Sequence, residues 1–145
     1  MACGAVRGGG GDAEVAEHAI YLVISLRNVG TGIAVLHGWR PYAERRLDRD
    51  HGPLDEFHRL GRDIYVSAGD DGFWQGALRD PSTPEFATTR KAIETRHEMT
   101  VEILYGDHEG GQRMVSRFLL APRDGGDGWL ASVGRHWNID RDDPR

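Results

Sequence analysis

From Ile20 to Trp39 the chain alternates between apolar and polar positions. Ile20, Leu22, Ile24 and Leu26 interleave with Tyr21, Val23, Ser25 and Arg27, the period-two pattern of a half-buried strand. Asn28-Val29-Gly30-Thr31-Gly32 breaks the run with residues that tolerate positive φ, and Ile33 to Trp39 resumes it. The pattern predicts a β-hairpin with Asn28, Gly30 and Gly32 as its structural turn. A second alternation runs from Met99 to Tyr105, turns through the glycine-bracketed stretch 106–111, and returns from Gln112 to Ala121 with Met114, Ser116, Phe118 and Leu120 on one side. Asp124 to Gly128 makes another turn. Trp129 to Ile139 then predicts a strand with Trp129, Ala131, Val133, Trp137 and Ile139 in phase.

The middle of the chain is less regular. Residues 41–62 are polar, and Pro53 followed by Leu54, Phe57 and Leu60 predicts about two turns of helix stopped by Gly61. Ile64 to Ala68 and Phe73 to Arg79 read as strands around a Gly69–Gly72 turn, with Trp74, Gly76 and Leu78 sharing a face. Pro84 to Thr95 reads as a helix with Thr83 as N-cap and Pro84 at its first position, its face formed by Phe86, Thr89, Arg90 and Ile93. Its threonines leave a crossing strand as the alternative.

Six or seven strands separated by turn clusters, with no βαβ rhythm, point to an antiparallel sandwich or barrel. The expected fold is all-β, an immunoglobulin-like antiparallel β-sandwich with one or two short helices. Residues 1–17 are expected to be a disordered Gly-rich tail, 18–140 a single domain and 141–145 a polar tail. The run Gly8 to Gly11 has neither a preceding strand pattern nor a following Lys-Ser/Thr, so a phosphate loop is not supported.

At 145 residues the chain is long enough to bury a core without staples. Its net charge of −5 argues against nonspecific nucleic-acid binding. A reading through Arg113, Arg117, Arg135 and Arg141 is weakened by Asp140, Asp142 and Asp143, which offset Arg135, Arg141 and Arg145. The single Cys3 excludes an intramolecular disulfide and a cysteine-based zinc site. No apolar run reaches the ~20 residues of a membrane helix.

Two stretches carry a family resemblance. Leu26 to Ala34, LRNVGTGIA, resembles the LRNVGxGxA hairpin of bacterial accessory β-sandwich domains. Gly72 to Asp80 (GFWQGALRD) and Tyr105 to Arg113 (YGDHEGGQR) resemble the soluble β-sandwich domain of small actinobacterial proteins of unknown function, which carry it behind a membrane-anchored N-terminal segment. The resemblance spans about residues 19–140, where the strand pattern holds. It implies no enzymatic activity and no cofactor. It also implies that this chain lacks the anchor and a first edge strand, and that its Gly-rich opening is a truncated or mis-assigned start. The expected location is the cytoplasm, or a membrane reached through the missing segment.

Candidate chemistry is sparse. Asp107, His108 and Glu109, with Arg113 beyond them, are carboxylates, an imidazole and a guanidinium on one tight loop, a set suited to a divalent cation or an anion. His136 is a fifth candidate. The competing interpretation is a solvated hairpin tip. The seven histidines are scattered without HxH or HExxH, and no serine stands in GxSxG. The Asp-Gly alternation at 124–128 lacks the calcium-loop spacing. Trp39, Trp74, Trp129 and Trp137 fall in strands, where a solvent-facing ring would mark a binding surface. Two functional readings result. One is a non-enzymatic binding or accessory module that takes a protein partner at a sheet edge or loop surface. The other is a metal- or small-ligand-binding enzyme, hydrolase-like, built on Asp107-His108-Glu109.

Overall fold

The computed structural model describes residues 6–29, 32–107, 112–124 and 128–140. They form eight strands and one α-helix: β1 (Val6–Val15), β2 (Ile20–Asn28), β3 (Ala34–Tyr42), β4 (His58–Val66), β5 (Asp71–Leu78), α1 (Pro84–Glu94), β6 (Met99–Gly106), β7 (Met114–Pro122) and β8 (Trp129–Asn138). A short 3-10 turn, Leu54–Glu56, precedes β4. All eight strands belong to one sheet in the order β4-β3-β6-β7-β8-β1-β2-β5, antiparallel throughout. The sheet curls until its two outer strands lie side by side, a nearly closed barrel. The all-β expectation holds. The immunoglobulin-like sandwich is not confirmed: among the described residues all eight strands belong to a single ladder.

Three expectations are corrected by this topology. The Gly-rich opening contributes a strand rather than a tail: β1 pairs with β2 on one side and with β8 on the other. Glycine weakens a strand through entropy, but the ladder to β2 runs from Val6 to Val15 around a bulge at Gly8–Gly11, and Gly10 and Gly11 also pair with β8. The stretch from Ile20 to Trp39 is two strands but not a hairpin, since β2 pairs with β1 and β5 while β3 pairs with β4 and β6. The stretch 59–62, expected as the end of a helix, is the first half of β4.

The inward faces alternate as period two requires. Ile20, Leu22, Ile24 and Leu26 from β2 meet Met99, Val101, Ile103 and Tyr105 from β6, and all are buried. Two register shifts reset that alternation. One lies between Leu36 and Gly38, so Leu36 and Trp39 both point inward although they are three residues apart. The other lies opposite Arg117 and Phe118, at Gly134. It turns Trp137 to the outer face, out of phase with Trp129, Ala131 and Val133, and against the sequence expectation; Trp137 is buried but stands outside the core cluster.

Helix α1 closes one end of the barrel with Phe86, Thr89, Ala92 and Ile93. Its start is as the sequence indicates: the Thr83 hydroxyl accepts from the Phe86 N–H at 3.2 Å. Its end is a Schellman turn, Arg96 N–H to Ile93 O at 3.1 Å and His97 N–H to Ala92 O at 2.8 Å, with Arg96 at φ 53°. Arg90, assigned to the buried face by spacing, is exposed and pairs with Glu94.

Candidate functional site

Of the five residues singled out by the sequence, Asp107, Arg113 and His136 are among the described residues. Asp107 follows the end of β6, and His108 and Glu109 lie outside the described residues, as does Gly30 of the predicted turn. Arg113 is committed elsewhere: it donates to both carboxylate oxygens of Asp140, Nη2 to Oδ1 at 2.8 Å and Nε to Oδ2 at 3.1 Å. This contact holds the Asp140 carboxyl down at about 2. His136 points into the barrel, with Nδ1 2.6 Å from Ser116 Oγ, which is 2.8 Å from Tyr105 Oη. Burial lowers the His136 pKa, so the imidazole is neutral in a chain of buried polar atoms. Among the described residues no three His, Cys, Asp or Glu side chains stand close enough to hold a metal ion together.

Asn28, predicted as part of a hairpin turn, has a different task. Asn28 is fully buried. Its Nδ2 donates to Gly32 O at 2.7 Å and Val66 O at 3.0 Å. Its backbone exchanges bonds with the β4–β5 turn, N–H to Asp70 O at 3.1 Å and O from Gly69 N–H at 2.8 Å. The Asn28 side chain thereby ties Gly32 to the end of β4, and its backbone holds the turn that leads into β5.

A second assembly lies on the outer wall. The stretch 43–57, between β3 and β4, folds back over β6, β7 and β8. Thr100 Oγ1 accepts from Arg46 N–H and donates to Glu44 O. Arg117 donates to the carbonyls of Asp48 and Asp50 at 2.7 and 2.8 Å and to Glu102 Oε2 at 3.0 Å. The other Glu102 oxygen accepts from Gly52 N–H at 2.7 Å and Tyr42 Oη at 3.1 Å. Burial, followed by the Glu102 charge, pushes the Tyr42 hydroxyl up to about 12. Trp137 donates Nε1–H to Arg49 O at 2.8 Å. The buried Glu102 and Arg117 are satisfied by each other, by Tyr42 and by the backbone of the stretch, so the assembly acts as a fastener for the loop.

The open feature is the seam. β4 has a ladder partner only in β3, and β5 only in β2, among the described residues. They meet at the top, where Asn28 binds Val66 of β4 and the turn that leads into β5, and at the bottom His58 Nε2 reaches Glu85 of α1 at 2.5 Å. Between these ties lies a cleft of about 510 Å³. Trp39 and Gly76 form part of its lining, Tyr21 and Ala77 flank it, and Arg59 of β4 and Arg79 beyond β5 stand on its two sides. Gly76 is required there: a Cβ would lie 2.5 Å from Trp74 Cζ2 and 2.7 Å from Trp39 Cε2. The Trp39 and Trp74 rings pack edge to face at 5.1 Å beneath it. On the outer faces of the same two strands, Tyr65 and Phe73 are 65% and 62% exposed.

Sequence reasoning missed this site. Its residues come from β2, β3, β4 and β5, and only strand order brings them together. The single local cue is Gly76 between Trp74 and Leu78, a gap in an otherwise bulky face.

No helix among the described residues is long and apolar enough to cross a membrane. Compared with known proteins, the chain matches no family model and no curated protein. A solved structure described as a protein from Archaeoglobus fulgidus is similar at a TM-score of 0.31 and 9% identity, covering 96% of this chain and 97% of that one. The assignment of the chain to the all-β class therefore rests on its own strand pairing.

Proposed function

We propose that this chain is a non-enzymatic binding module, and that an extended segment of a protein partner adds to the seam between β4 and β5. The observation that carries the reading is the pair of strand edges without a ladder between them, held apart around an aromatic-lined cleft. Unpaired strand edges are templates for main-chain hydrogen bonding, and pockets beside them select side chains. Tyr65 and Phe73 add exposed aromatic surface on the outer side of the same strands, and such residues are favoured at interfaces. Both edges of β2 are occupied, by β1 and β5, whereas β4 and β5 each keep an edge without a ladder partner among the described residues.

The test is a selection of random extended peptides on the immobilised chain, followed by amide hydrogen exchange with a selected peptide bound. Strand addition slows exchange along β4 and β5. An empty selection, or protection confined to another face, removes the proposal.

A further inference from the structure

The charges around the cleft say what kind of segment it takes, an inference that rests on the seam reading above. The chain is acidic overall, with 23 Asp and Glu against 18 Lys and Arg. Among the described residues, Arg40, Arg45, Arg46, Arg90, Arg113 and Arg117 each have a carboxylate within ion-pair distance. Arg59 and Arg79 have none among those residues, as is also true of Arg27, Arg49, Arg123 and Arg135; what sets Arg59 and Arg79 apart is that they line the cleft, one from each side of the seam. Arg79 instead sets its guanidinium carbon 5.5 Å from the Tyr21 ring centroid. A cation–π contact of this kind uses the charge and none of the five N–H donors. No carboxylate is among the cleft's described lining residues, and Glu85 at its lower end is occupied by His58.

We infer that the seam is selective for an acidic extended segment. An apolar or aromatic side chain lies against Trp39 and Tyr21, and carboxylates of the same segment meet Arg59 from the β4 side and Arg79 from the β5 side. The planar guanidinium fork matches a carboxylate bidentately, and the chain's acidic surface elsewhere repels the same segment, so the complementarity is local.

The peptides selected on the chain supply the test. Acidic residues flanking an apolar or aromatic one are expected to be enriched. A selected peptide should bind the Arg59→Glu/Arg79→Glu double variant about tenfold more weakly, as two partly exposed charge pairs predict. Its affinity for the native chain should fall as salt rises. Both arginines are exposed, so the variant should keep the parent melting temperature; Arg123→Glu/Arg135→Glu, just past β7 and on β8, should leave binding unchanged. Selection of neutral or basic peptides, or equal binding to R59E/R79E, overturns the acidic preference while leaving the seam reading intact. An empty selection ends both.

Discussion

Arg117 Nη2 lies 2.9 Å from Glu102 Oε2 on the outer wall of the barrel, with the two side chains 5% and 0% exposed. A buried pair of this kind is a weak stabiliser compared with apolar residues, but losing one partner leaves an uncompensated charge. Arg117→Met should destabilise the chain by about 3–5 kcal/mol in urea unfolding. The double variant Arg117→Met/Glu102→Leu should recover part of that loss. It should still expose the 43–57 stretch to proteolysis, because the carbonyls of Asp48 and Asp50 lose their donor. Equal stability of the single and double variants would show that the charge left behind is not what costs.

Asn28→Ala removes the two side-chain bonds to Gly32 O and Val66 O and orphans buried carbonyls. The expected loss is about 1–3 kcal/mol, read from denaturant midpoints. Amide exchange should speed up first at Gly69, whose N–H donates to the residue 28 carbonyl, and at residue 28 itself, whose N–H donates to Asp70 O.

Gly76→Ala drives a methyl into the Trp39–Trp74 pair. Overpacking of this sort costs about 1–3 kcal/mol. Tryptophan fluorescence should shift with it, since both rings must move. An unchanged melt and spectrum would mean that β5 withdraws from the core at little cost.

Two of the titrations that shape the acid limb belong to His136 and Asp140. The folded pKa of His136 is lowered by burial, so between its ordinary value of 6.5 and that lower value the unfolded chain binds the extra proton. Stability contributed by the neutral imidazole is thus complete above 6.5 and declines as pH falls toward the folded pKa. Melting curves taken across that window should show the decline in the native chain, and a smaller one in His136→Gln. Asp140 acts lower: its carboxyl is depressed from 3.8 to about 2 by Arg113. Its contribution is present above 3.8 and is lost as pH falls through about 2. Asp140→Asn should remove that second component only.

How much of this was legible depends on what each signal encodes. Thr83, Pro84 and the spacing of Phe86, Thr89 and Ile93 specify α1 because capping and helical period are local. The alternation at Met99–Tyr105 specifies β6 for the same reason. Partner choice is not local. Ile20 to Trp39 has the pattern of two strands whatever lies beside them, and the β4–β5 pair in fact sits between them. β1 was invisible because Gly8 to Gly11 offer no side chains to alternate. The bulges at His37 and Gly134 each reset the inward face, so Trp137 could not be placed by counting from Trp129. The cleft, a product of strand order, was the least legible feature of all.

The pairing of β1 with β8 joins Gly10 to Leu130 and Gly11 to Trp129, residues near opposite ends of the sequence. During synthesis β1 can pair at once with β2, but its other edge stays bare until residue 130 has left the ribosome. Contacts of such long range are slow to form because their loop-closure entropy is lost before they stabilise anything. A glycine strand suits that wait, since it has almost no apolar side chain to offer a wrong partner while the wall is unfinished.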